Sequence, residues 1–186
     1  MEIDGHDYRI NTDYRAWVAY SSALLEERPV QLKQLLRLAF PEEQPQNETA
    51  ALEAVHAFLR CGEEAKEKKE EDKGEGRRPS PYSFQADAGA ILAEFQQVYG
   101  IDLSTAEMHW WRFSALLRGL IGHSFSERVK YRVADLDKIK DSEVRRHWRA
   151  MKDAYALDDH GQPARKPQTL EEYNEMLLAQ ARGERW

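Results

Sequence analysis

The apolar residues between Ile101 and Leu120 recur at the spacing of an α-helix. Ser104 stands three residues before Glu107, which is the capping-box pattern of a helix start, and we predict a helix over residues 104–119. The larger apolar side of this helix consists of Trp110, Phe113, Leu116, Leu117 and Leu120. A second apolar side consists of Met108, Trp111 and Ala115. A helix with two apolar sides either crosses the centre of a small core or offers one side to a partner. We expect Trp110, Phe113 and Leu117 to be almost fully buried.

Further amphipathic stretches predict the rest of the fold. Asn47 and Asp141 are suited to cap helices, Gly100 is suited to end one, and Asp4-Gly5 favours the type I′ turn of a hairpin. Residues 124–136 have a weaker pattern. We predict an all-α fold, a compact helical domain of about six to seven helices with a small N-terminal β-hairpin. The other helices are predicted over residues 13–27, 29–40, 47–62, 83–99 and 141–157.

The domain organisation follows from a change in composition. Residues 63–78 carry thirteen charged side chains and no large apolar one, so they cannot bury enough surface to offset their ordering entropy. We predict a single helical domain over residues 1–157 with a charged internal linker at 63–80. Residues 158–186 should form a tail, in which the amphipathic stretch 170–181 could be a short helix.

The charge is unevenly distributed along the chain, whose net charge is −6. Residues 1–62 carry ten acidic and six basic side chains, whereas residues 112–152 carry eleven basic and five acidic ones. Solvated helix faces of mixed sign explain this distribution most simply. The alternatives are an acidic partner for the second half, or attraction between the unlike halves of neighbouring copies.

No pattern typical of catalysis or of a cofactor site stands out. The six histidines lack metal-ligand spacing, no glycine-rich phosphate loop follows an apolar strand, and the single Cys61 stands near a helix end that disfavours its thiolate. We expect His109 to be a half-buried histidine bonded to a backbone carbonyl. We therefore expect a protein that is not an enzyme and has no cofactor. With neither an eighteen-residue apolar run nor a signal peptide, it should be cytoplasmic.

The second half of the chain resembles one phage family. Its order is FQADAGAILAEFQQVYGIDL (84–103), MHWWRFSALLRGL (108–120) and YRVADLDKIKD (131–141), followed by a basic helix with Trp148 and Tyr155. This order is similar to that of the "gene product fifteen" family of siphophages and prophages of Gram-positive hosts, over residues 6–157. The resemblance implies a gene next to the tape-measure gene and a role in tail morphogenesis. It also implies an assembly chaperone for the tape-measure protein in the cytoplasm of the infected or lysogenic host.

Two surfaces are the candidates for client binding. The first is the second apolar side of the central helix with Arg118 beside it, and the second is the stripe on the last main helix. Basic residues of that last helix would form a supporting electrostatic rim. We expect the partners to be the tape-measure protein, other tail proteins and further copies of this chain. The alternatives are a structural minor tail or connector protein and a nucleic-acid-binding regulator. The candidate protein-binding residues are Met108, Trp111, Ala115, Arg118, Arg145, Arg149 and Lys152.

Overall fold

A computed structural model describes residues 1–25, 31–62, 81–158 and 161–164. Within this part of the chain, seven α-helices follow a two-stranded antiparallel hairpin, which confirms the predicted all-α class. A short 3₁₀ turn, Leu136–Lys138, precedes the last helix. The hairpin consists of β1 (Glu2–Ile3) and β2 (His6–Asp7). The helices are α1 (Tyr14–Ala23), α2 (Leu32–Ala39), α3 (Glu48–Leu59), α4 (Ala88–Tyr99), α5 (Trp110–Arg118), α6 (Ser124–Val133) and α7 (Ser142–Ala154).

The hairpin has the predicted turn and leans on α3. Asp4 and Gly5 both have positive φ angles, 52° and 78°, as a type I′ turn requires. Ile3 is buried in the core, and the Asn47 side-chain amide donates to the Asp4 carboxylate over 2.9 Å. A two-stranded ribbon is marginal by itself, so these contacts with the start of α3 stabilise it.

The predicted caps of three helices are confirmed. The Asn47 side chain accepts the N–H of Ala50, and the Asp141 carboxylate accepts the N–H groups of Glu143 and Val144 at 2.8 and 3.0 Å. Gly100 ends α4 in the left-handed conformation, with a φ angle of 66°. These caps depend on side chains within four residues of the helix end, so they could be recognised locally.

The predicted start of the central helix is wrong. Ser104 lies in a turn closed by Asp102, whose carboxylate accepts the Ser104 N–H at 2.9 Å, and α5 begins only at Trp110. His109 caps α5 by accepting the N–H of Trp111 at 3.1 Å, so this exposed side chain is not the half-buried donor that we expected.

The segment before α5 is extended because it pairs with the chain before α1. The Met108 carbonyl accepts the N–H of Tyr14 at 3.0 Å, and the Trp110 N–H donates to the Thr12 carbonyl at 2.8 Å. A bridge between Asp13 and His109 lies between these two bonds. The backbone groups of Met108 and Trp110 are thus bonded to a distant part of the chain, and these bonds compete with the continuation of α5 toward Ser104.

Other boundaries also differ from the prediction. Residues 83–87 form a turn instead of the first turn of α4, because the Asp87 carboxylate accepts the Ser83 N–H at 3.1 Å. The first helix ends at Ala23, short of residue 27, and the weakly patterned segment 124–136 contains α6. Residues 26–30, the predicted linker at 63–80 and residues 165–186 lie outside the described residues.

An aromatic cluster around Phe113 forms the centre of the core. As predicted, Trp110, Phe113 and Leu117 are buried, with Phe113 only 1% exposed. The Phe113 ring stacks on the rings of Tyr14 and Phe95, with centroid distances of 4.7 and 5.3 Å. These stacked rings therefore fill the interior where α1, α4 and α5 meet. None of the helices in the described ranges is long and apolar enough to cross a bilayer.

Candidate protein-binding site

An apolar groove of about 600 Å³ lies between α5 and α6, and we call it the α5–α6 groove. Its floor is part of the core, because four of its lining side chains are almost fully buried: Trp110, Leu117, Leu120 and Phe125. Ile121 stands at its edge with 80% of its surface exposed. The groove thus joins the buried core to a strongly exposed apolar side chain, which is an arrangement typical of a binding surface.

The chain reversal between α5 and α6 sets one end of the groove. Tyr99 of α4 donates its hydroxyl to the carbonyl of Leu116 at 2.9 Å. A β-carbon at Gly119 would lie 2.8 Å from that hydroxyl, so any side chain here would push the Tyr99 hydroxyl away from its present position. Gly122 has a φ angle of 79°, which favours glycine and turns the chain toward α6.

The start of α6 is held in place by a buried carboxylate of α4. Glu94 is 4% exposed, and its Oε1 accepts the N–H of Phe125 at 2.6 Å. A carboxylate at a helix N-terminus satisfies an orphan donor and interacts favourably with the helix dipole. This bond fixes Phe125, and with it one wall of the groove, against α4.

A buried ion pair fixes the other end of α6. The Arg132 guanidinium donates to both carboxylate oxygens of Asp87, at 2.6 and 2.9 Å, and the Asp87 side chain is fully buried. Arg132 also donates to the carbonyl of Tyr155 at 2.6 Å, which connects the end of α7 to the same point. The wall that α6 provides is therefore attached to α4 at both ends.

The edge of the groove carries more positive than negative charge. Arg118 lines it from α5, and Lys130 and Glu127 line it from α6. Lys130 and Glu127 form an exposed pair with an N–O distance of 3.3 Å. Burial raises the pKa of the Tyr82 phenol, which also lines the groove, and the Arg118 charge partly offsets that rise.

The structure separates the residues of the predicted second apolar side. Met108 precedes α5 and is buried, so the prediction that it belongs to the second apolar side of this helix is wrong. Trp111 and Ala115 are exposed on α5, Trp111 by 44%. The Trp111 indole N–H donates to the carbonyl of Phe58 at 2.9 Å, so this side chain also holds α3 against α5. Its contact with a client stays a prediction.

The predicted basic residues occupy two places. Arg118 lies at the groove, whereas Arg145, Arg149 and Lys152 lie on α7. Arg149 is exposed and Arg145 is partly exposed. The Lys152 ammonium donates to the carbonyl of Ala134 at 2.6 Å, so it contributes to the packing of α7 against the end of α6.

Sequence reasoning missed Ile121, Phe125 and Val129 as groove residues. A usable signal was Ile121, an isolated large apolar residue between Gly119 and Gly122, because such a residue in a turn has few neighbours of its own to cover it. Phe125 and Val129 could not be placed, since the groove exists only once α6 packs beside α5.

The described residues show no grouping of metal-ligating side chains. Across the described ranges, no three His, Cys, Asp or Glu side chains are placed to hold a metal ion. Cys61 follows α3 with a positive φ angle of 58° and is partly exposed.

The chain matches a known protein family. A family model described as "Bacteriophage Gp15 protein" matches residues 1–157. No curated protein and no solved structure matches the chain.

Proposed function

The chain belongs to the bacteriophage Gp15 protein family, and we propose that it is a tail assembly chaperone that binds the tape-measure protein. Membership makes it a phage structural or morphogenesis protein. The tail and the tape-measure client come from the gene order that the family resemblance implies. We further propose that the protein acts by binding alone, without catalysing a reaction and without a cofactor.

The observation that carries this proposal is the α5–α6 groove. A chaperone for a long helical protein must cover apolar helix faces that would otherwise aggregate, and must then release them. An open apolar groove with an ordered floor fits this task, because helices bind in such grooves by inserting side chains at positions i, i+3, i+4 and i+7. The core residues of the floor keep the groove formed before the client arrives, which limits the entropy lost on binding.

Ile121 gives the most direct test of this proposal. We expect that Ile121→Ser will reduce co-purification of the tape-measure protein from the same phage roughly tenfold, the scale of an apolar anchor residue. The melting temperature should hardly change, because the side chain is 80% exposed. Tagged protein and client would be co-expressed, and the captured client quantified.

A matched control is Leu92→Ser. Leu92 is an apolar residue of α4 that is 45% exposed and does not line the groove, so its replacement should leave client capture unchanged.

Failure of the parent chain to capture the client would contradict the tape-measure role. Retention in mature particles would favour a structural tail component instead, and salt-sensitive retardation of DNA or RNA would favour a nucleic-acid-binding regulator.

We also propose that copies of the chain associate, since a long client needs many chaperone molecules and the two halves of the chain carry opposite charge. Light scattering should then give a mass above the 21.7 kDa of one chain at micromolar concentration, and a smaller mass when added salt screens the attraction. A mass of one chain at low and moderate salt alike would contradict association.

A further inference from the structure

The walls of the α5–α6 groove determine what kind of backbone can bind there. Both walls are helices, Trp110–Arg118 and Ser124–Val133, whose interior N–H and C=O groups are bonded within each helix. An extended segment would find no sheet edge to pair with along these walls, so its own backbone groups would lose water without gaining partners. A helix satisfies its backbone internally and can present side chains alone.

The charges around the groove determine which helix fits. Arg118 and Lys130 stand on opposite walls, and among the described lining residues only Glu127, which pairs with Lys130, is acidic, so two basic charges face one acidic charge. The Lys130 ammonium also lies 5.3 Å from the centre of the Trp148 ring, so the basic edge continues onto α7. On α7, Arg145 lies one turn before Trp148, which extends the positive charge away from the groove.

We propose that the α5–α6 groove selects an amphipathic helix whose apolar side enters the groove and whose flanking positions are acidic. This inference rests on the proposed function, because it describes the segment of the client that binds. Glutamate or aspartate beside the apolar stripe would meet Arg118 on one wall and Lys130 on the other. Such complementary charges raise the association rate and select the partner, while the apolar contacts supply most of the affinity.

Two synthetic peptides of about twenty residues, long enough to form a helix on binding, test this inference. Both carry leucine at helical spacing along one side; one has glutamate at the flanking positions and the other has lysine at the same positions. Fluorescence anisotropy with the full chain should show that the acidic peptide binds at least about fivefold more tightly at low salt. The difference should shrink as salt screens the exposed charges.

Two substitutions separate the contribution of charge to the peptide affinity from the contribution of apolar contacts. Lys130→Glu should weaken the acidic peptide roughly fivefold and strengthen the basic one, since it replaces an attractive contact by a repulsive one. Lys138→Glu is the matched control: Lys138 forms a similar exposed pair with Asp135 over 3.2 Å, but it does not line the groove. Ile121→Ser should weaken both peptides by the same factor.

Three results would overturn the inference. Equal affinity for the two peptides, or a preference for the basic one, would show that the groove does not select helices with acidic flanking positions. Capture of the tape-measure protein without binding of either peptide would reject the groove as the site of an acidic helix, while the proposed function would stand. Self-association that Ile121→Ser abolishes, with no peptide bound, would assign the groove to a second copy of the chain.

Discussion

Replacing Phe113 by alanine should lower the free energy of unfolding by about 3–5 kcal/mol, the usual cost of deleting a buried phenylalanine ring. The ring is 1% exposed and stacks on Tyr14 of α1 and Phe95 of α4. Its loss would leave a cavity where three helices meet, and those helices cannot all move inward to fill it. Urea unfolding followed by circular dichroism would measure the change.

Two further variants make this result specific. Phe113→Leu retains most of the volume and should cost clearly less than Phe113→Ala. Leu92→Ala removes an apolar side chain that is 45% exposed, and it should cost less than about 1 kcal/mol. If Phe113→Ala cost no more than Leu92→Ala, the aromatic cluster would not be the centre of the core.

Replacing Arg132 by methionine should cost about 3 kcal/mol, because it leaves the Asp87 charge buried without its main partner. The Asp87 side chain is fully buried, and both its oxygens accept from Arg132. We expect the lower end of the range for broken buried pairs, since Arg128 still lies 3.7 Å from the carboxylate. The same urea titration would measure it, and affinity for the client should fall as well, because this pair anchors one wall of the groove.

The double variant Asp87→Asn with Arg132→Met should cost less than the two single changes added together. It removes both charges, and the side-chain oxygen of the introduced asparagine could still accept the Ser83 N–H that the carboxylate accepts now. Arg9→Met is the exposed control, because the Arg9 side chain is 78% exposed and its pair with Glu42 is worth less than about 1 kcal/mol. If Arg132→Met cost as little as Arg9→Met, the buried pair of Asp87 and Arg132 would not be important for stability.

The site could be predicted only in part. Arg118 was among the predicted binding residues and lies at the groove, but Met108 proved to be buried. The pattern suggested that Trp111 marks a free apolar side, yet its indole N–H is bonded to the carbonyl of Phe58, 53 residues away along the chain. No local sequence pattern reveals this partner. The indole N–H and the backbone carbonyl come together only when α3 packs against α5.

The sequence by itself determined the features that depend on neighbours along the chain. The turn at Asp4-Gly5, the caps at Asn47 and Asp141 and the burial of Phe113 follow from side chains a few residues apart, or from the period of one helix. Local chemistry is sufficient for the turn and the caps because each group meets its partner within a few residues, and the period of α5 alone shows that Phe113 lies on its buried side, although its ring partners belong to α1 and α4.

Only the tertiary structure decided where α5 begins, and that a groove exists. The backbone of Met108 bonds to Tyr14, and α6 is held on α4 by Glu94 at Phe125 and by Asp87 at Arg132. These partners stand 31 to 94 residues apart in the sequence, so their bonds form only after the helices have packed. Once packed, they outweigh local signals such as the Ser104 capping pattern, because a buried polar group without its partner costs more than a helix turn contributes.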